Sequence, residues 1–191
     1  MGKELIKNSS NVRNLYEEAS SLLHLDIEAI SFGESIGLLS QTKYAQVAIA
    51  VYEYALYSDF IQNHNLPTFL AGHSLGELVA LTASGAINFS DLVLISYERG
   101  KAMQQVADST PSGMVAAIGT PDDLVKLSEN YSNIYVANYN SNNQVVFLEQ
   151  KESLKNFEND IERSGGIAIK LKVSGGFHSP LMRSAAEQYK R

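Results

Sequence analysis

Ala71–Leu81 reads AGHSLGELVAL, and the fold turns on what these eleven residues do. Gly72, Ser74 and Gly76 stand at alternate positions where the apolar run Thr68–Gly72 gives way to helical spacing. That run is too short for a helix and is bounded by Pro67 and the glycines, so it predicts a buried strand. Strand, sharp turn and helix in succession lift a serine hydroxyl to the tip of the turn. They also place the next backbone N–H, that of Leu75, where an oxyanion can use it. The following helix directs the positive end of its dipole at the same point. A Gly-x-Ser-x-Gly string alone is often only a turn; in this context it makes Ser74 a candidate nucleophile.

The neighbouring sequence has the same α/β rhythm. Val12, Leu15, Tyr16, Ala19, Leu22 and Leu23 follow the i, i+3, i+4 spacing of an amphipathic helix that Ser9 or Ser10 can cap. A second helix, about Thr42 to Asn63, is apolar on most of its circumference and so predicts a buried element. After the elbow, GELVALTASGA predicts a helix ending near Gly85, and Asn88, Ser90 or Asp91 starts another through LVLISYERGKAMQQV. From Met114 the pattern changes to strand MVAAIG, helix PDDLVKLSEN, strands NIYVANYN and QVVFLEQ around SNN, helix KESLKNFENDIERSGG and strand IAIKLKVS. That β-α-β-β-α-β order is the split unit of a ferredoxin-like subdomain. The expected organisation is an α/β hydrolase-like core with a parallel sheet over residues 1–112, the inserted subdomain over 113–174, and a return to the first at 175–191.

Serine needs an adjacent base, and histidine titrates in the useful range. There are four histidines. His24 and His64 read as surface residues, and His73, next to Ser74, points away from it and shapes a pocket. His178 follows Gly175, Gly176 and Phe177 at the end of the last strand, in a loop that can meet the elbow; the alternative is a histidine satisfied by a loop carbonyl. Arg99 shares a helix face with Ile95 and Met103. An arginine on a largely apolar face either snorkels or meets a buried anion.

Bulk composition removes several classes of chemistry. The 191 residues contain no cysteine, which excludes disulfides, thiolate catalysis and cysteine zinc sites in this stretch. No histidine pair has metal-ligand spacing, so no metal is expected. The net charge is -6, and residues 101–191 balance ten acidic against ten basic residues, which disfavours a nucleic-acid partner. Lys170, Lys172, Arg183, Lys190 and Arg191 gather near the end, either as a solvated face or facing an acidic partner. The first residues form no signal core, the myristoylation pattern fails at Ile6, and VAIAVYEYAL is too short to span a bilayer. A cytoplasmic protein without a membrane partner is expected.

Taken together, AGHSLGE with its helix, ISYERGKAMQ, GMVAAIG, VANYNSNNQVVF and VSGGFHSPLM resemble, in order, the malonyl-CoA:acyl carrier protein transacylases and the acyltransferase domains of polyketide synthases. The resemblance implies a serine acyltransferase, an [acyl-carrier-protein] S-malonyltransferase of fatty acid or polyketide biosynthesis. Ser74 resembles the acylated nucleophile, His178 its base, and the Leu75 N–H half of the oxyanion hole. Arg99 resembles the partner of the malonyl carboxylate. Met103, Met114 and Asn138 resemble pocket residues, joined by His73, and Phe177 resembles the malonyl-selecting version of its motif. Malonyl-CoA and an acyl carrier protein bearing phosphopantetheine are the implied partners, with no metal or redox cofactor. The family's pattern also includes a preceding strand with a Gly-Gln-Gly-Ser loop and a continuation beyond the histidine, so the chain is expected to be the middle of such a domain and weakly active alone. Rival expectations are a proofreading acyl hydrolase or serine esterase, and a non-catalytic fragment that keeps partner contacts.

Overall fold

Chain contacts divide the computed structural model, which describes residues 1–33, 37–150 and 154–189, into two units, Met1–Lys101 and Ala102–Arg191. In the first, α1 (Lys3–Asn8), α2 (Ser10–Leu23), α3 (Ile27–Phe32), α4 (Thr42–Phe60) and α5 (Gly76–Ala83) precede α6 (Phe89–Ser109), which carries the division between the units. Short polar side chains start three of these helices by accepting amide hydrogens that have no partner in the first turn. Ser9 Oγ accepts from Val12 at 3.4 Å, Asp26 Oδ1 from Ala29 at 2.8 Å, and Asn88 Oδ1 from Asp91 at 2.7 Å. The buried face of α2 is Val12, Tyr16 and Ala19, as its spacing dictates. On α4, Val47, Ala48, Ala50, Val51 and Ala55 are all buried, so this helix is enclosed on several sides.

The expected strand at Thr68–Gly72 is not formed, and the parallel sheet expected around it is absent among the described residues. A strand is held by the ladder bonds of its neighbours. The four strands of the described residues lie between Ser112 and Lys170 and pair with one another. Without a paired neighbour, Pro67–Gly72 is irregular, and Phe69 stands 90% exposed.

Gly72 nonetheless fixes the turn. A Cβ there would fall inside the backbone of Gly76 and Glu77 in the first turn of α5, so only glycine lets chain and helix approach this closely. Gly72→Ala should therefore destabilise the 191-residue chain by about 3 kcal/mol, the upper range for overpacking. Thermal melts followed by circular dichroism should show the midpoint lowered by roughly 6–12 °C. Gly76 has no such clash; the nearest group to a Cβ there is Glu53 Oε2 at 4.0 Å.

The second unit runs β1 (Ser112–Ile118), α7 (Pro121–Ser128), β2 (Ile134–Ser141), β3 (Gln144–Gln150), α8 (Leu154–Arg163) and β4 (Ile167–Lys170), closing with a 3₁₀ turn at Pro180–Met182 and α9 (Arg183–Tyr189). The four strands form one antiparallel sheet in the order β2-β3-β1-β4. Strand alternation gives the sheet two apolar faces. Val115, Ala117, Val145 and Phe147 pack on Leu124 of α7 and on Phe157 and Ile161 of α8, with the Phe147 and Phe157 rings edge-on at 5.0 Å. Met114, Ala116, Val146 and Leu148 line the other face with Phe177 and Leu181. β4 is shorter than IAIKLKVS predicts: it stops at Lys170, and beyond it the Leu171 N–H still donates to Met114 O at 2.9 Å. Lys170, Lys172 and Arg183 are exposed, while Lys190 and Arg191 lie outside the described residues. No helix of the described residues is long and apolar enough to cross a membrane.

Candidate active site

Three non-glycine residues among those described have a left-handed backbone: His24 at φ 52°, Ser74 at φ 56° and His178 at φ 57°. His24 caps the end of α2, where its N–H donates to Ser20 O, a usual place for this conformation. Ser74 and His178 end no helix. Holding an L residue there costs of order 1–3 kcal/mol and persists where the surrounding structure imposes it, often at functional sites.

Bonds on its helical side fix the Ser74 turn. Gly76 N–H donates to His73 O at 2.9 Å, Glu77 N–H to Ser74 O at 3.4 Å and Leu78 N–H to Leu75 O at 3.0 Å. The Leu75 N–H belongs to the residue that enters the helix as its N-cap. The Leu75 side chain is buried, and His73 is exposed. α4 lies along α5, and Tyr57 Oη donates to Ala83 O at 3.0 Å at the far end. Glu53, one turn earlier on α4, is the carboxylate beside Gly76, and burial pushes its carboxyl above the usual carboxylate range.

Arg99 reaches this elbow. Its Nη2 donates to Ser74 Oγ at 3.2 Å, and its Nη1 donates to Gln46 Oε1. Gln46 is buried, 7% exposed, on the enclosed face of α4. The guanidinium is thus gripped from α4 and set against the hydroxyl; it does not snorkel to solvent. Gln46 is a functional candidate that the sequence reading missed. The available signal was a lone amide among Ala45, Val47, Ala48 and Ala50, on a stretch whose burial leaves a polar group in need of a partner.

The remaining candidates belong to the second unit. Met114 on β1 and Phe177 share one apolar cluster, and Asn138 on β2 pairs with Val146 of that cluster across the ladder. Met103 is half-buried on α6. His178 is exposed, at the tip of a tightly bonded loop. Ser112 Oγ accepts from Gly176 N–H at 2.7 Å, and Ser179 Oγ donates to Gly176 O at 2.9 Å. A Cβ on Gly175 would meet Ala107 Cβ at 2.5 Å, and one on Gly176 would overlap Leu148. The glycine pair therefore lets this loop press onto helix and sheet. No group of three or more His, Asp or Glu among the described residues is placed to hold a metal ion.

Residues 1–191 match the family described as acyl transferase domain over their whole length. The chain is similar to the malonyl CoA-acyl carrier protein transacylase of Bacillus subtilis (strain 168), 32% identical over 197 residues; all of this chain and 62% of the relative are covered. It is also similar to the crystal structure of malonyl CoA-acyl carrier protein transacylase from Clostridium perfringens, with TM-score 0.91 and 35% identity. All of this chain and 61% of that one are covered. A malonyl-transacylase solved in complex with its holo type II polyketide-synthase acyl-carrier protein superposes with TM-score 0.92 at 27% identity, covering 99% of this chain and 63% of that one. The chain therefore spans less than two thirds of the length of these relatives.

Proposed function

Because this chain belongs to the acyl transferase domain family, we propose that it moves a malonyl group from malonyl-CoA, through an ester on Ser74, to the phosphopantetheine thiol of an acyl carrier protein. Ser74 Oγ attacks the thioester carbonyl while His178 takes its proton. The tetrahedral oxyanion receives the Leu75 N–H, and collapse expels coenzyme A as its thiol, protonated by His178. The carrier thiol then attacks the seryl ester by the same steps in reverse. These steps use two side chains, one backbone N–H and the two thiols, with no metal or redox cofactor. His73, Met103, Met114 and Asn138 border the acyl group, and Phe177 limits bulk at its α-carbon. The exposed Lys170, Lys172 and Arg183 offer charge to an acidic carrier protein.

The architecture proposed within a chain of the relatives' full length is a hydrolase-like core, residues 1–112 and 175–191, in which Thr68–Gly72 becomes a strand of a parallel sheet. Residues 113–174 form the ferredoxin-like subdomain, a reading supported by the β-α-β-β-α-β order and the strand order β2-β3-β1-β4.

The observation that carries the malonyl reading is the Arg99 guanidinium at 3.2 Å from Ser74 Oγ. A free carboxylate on an acyl group esterified at that oxygen lies within reach of the fork, and guanidinium binds carboxylate bidentately. Acetyl has nothing to offer it. Losing such a contact costs about 2–4 kcal/mol, so Arg99→Ala should lower malonyl kcat/KM roughly 30- to 1000-fold. Acetyl transfer should hold or improve. The check is carrier-protein acylation from malonyl-CoA and acetyl-CoA in parallel, within a chain of the relatives' full length; equal losses for both would assign Arg99 a purely structural part.

A further inference from the structure

The residue after Arg99 is a glycine inside a 21-residue helix. Glycine weakens a helix interior, and Gly100 has no left-handed φ and no turn to justify it. Its surroundings do. A Cβ on Gly100 would stand 2.7 Å from Lys43 Cα, 3.0 Å from Thr42 O and 3.1 Å from Lys43 O. The first distance is below what real Cβ atoms tolerate, and all three atoms are backbone, so no rotamer change relieves the clash. The backbone of α6 at Gly100 thus lies directly on the first turn of α4. Gln46 is the next turn of that same helix, and Arg99 precedes the glycine.

We propose that Gly100 is the positioning residue of the carboxylate-binding fork: by letting α6 lie against the first turn of α4, it brings the Arg99 guanidinium between Gln46 and Ser74. This inference rests on the reading that Arg99 receives the malonyl carboxylate. Gly100 touches neither substrate nor Ser74 and acts only through the spacing of two helices. Malonyl-over-acetyl selectivity is then set by a contact between backbones, and any side chain at position 100 lifts the fork away from the nucleophile.

The test compares Gly100→Ala, Arg99→Ala and the unaltered sequence in a chain of the relatives' full length. Malonyl and acetyl kcat/KM are measured per Ser74 that reacts with a fluorophosphonate, so that unfolded molecules drop out of both rates. A displacement near 1 Å is worth about 100-fold in a positioned reaction, so Gly100→Ala should lower malonyl kcat/KM by about that factor, chiefly through KM. Acetyl kcat/KM should change less than about 3-fold, since acetyl does not use the fork. Equal losses for both acyl groups, or an unchanged malonyl-to-acetyl ratio, would overturn the proposal. If Gly100→Ala yields no reactive Ser74, Gln46→Asn tests the same placement by withdrawing the grip on Arg99 by one methylene. Retained selectivity there overturns the proposal, and lost selectivity supports it. An Arg99→Ala chain that keeps its malonyl preference would instead refute the carboxylate reading itself, independently of Gly100.

Discussion

Ser74→Ala should abolish acylation in a chain of the relatives' full length. The hydroxyl sits at the tip of the elbow, on a left-handed backbone at φ 56°, with Arg99 Nη2 at 3.2 Å from its oxygen. Alanine has no nucleophile to put there, and the chain has no cysteine to substitute for it. Removing the serine of a serine–histidine pair costs about a million-fold in turnover, so no malonyl-enzyme should be detectable by intact mass. The variant should stay folded. The elbow is closed by backbone bonds from Gly76, Glu77 and Leu78, which the substitution leaves untouched. An unchanged thermal midpoint together with lost labelling is the expected pair of results; a Ser74→Ala protein that still acylates at the normal rate would remove the nucleophile from the account.

His178→Ala should be nearly as severe. The loop bearing it is tightly held: two glycines pressed against Ala107 and Leu148, Ser112 and Ser179 both bonding Gly176, and a left-handed histidine backbone at φ 57°. Loss of the base leaves a neutral serine hydroxyl as nucleophile, and acylation should slow by about 10⁴- to 10⁶-fold. Single-turnover acylation by malonyl-CoA measures this step without the carrier protein. Added imidazole should restore part of the rate, because a small base can occupy the vacated volume; a merely structural histidine would show no such rescue.

The elbow and most of the elements were legible because the signals are local. Ser9, Asn88 and Gly85 mark helix ends within a turn of themselves, and alternation in MVAAIG and QVVFLEQ is decided by neighbours two residues apart. Short elements were not legible: α1, α3 and α9 have six or seven residues each, too few for periodicity to stand out. Thr68–Gly72 has the composition of a strand, but a strand exists only with a partner, which composition cannot supply. Gln46 was hidden for a related reason. Its meeting with Arg99 spans 53 residues of chain, and nothing near either residue announces it. Gly100 reads as an ordinary blemish in a helix until its neighbours across the packing are seen to be backbone.

Ser74 is proposed to hold a malonyl group in transit between two thiols. A chain of the relatives' full length is exposed briefly to malonyl-CoA, freed of nucleotide, split, and analysed by intact mass and peptide mapping before and after adding a holo acyl carrier protein. One malonyl group on the peptide containing Ser74, passing to the carrier protein when it is added and only slowly to water without it, is the predicted result. A malonyl group found on any other residue, or one released as free malonate at the same rate with and without the carrier protein, would contradict it.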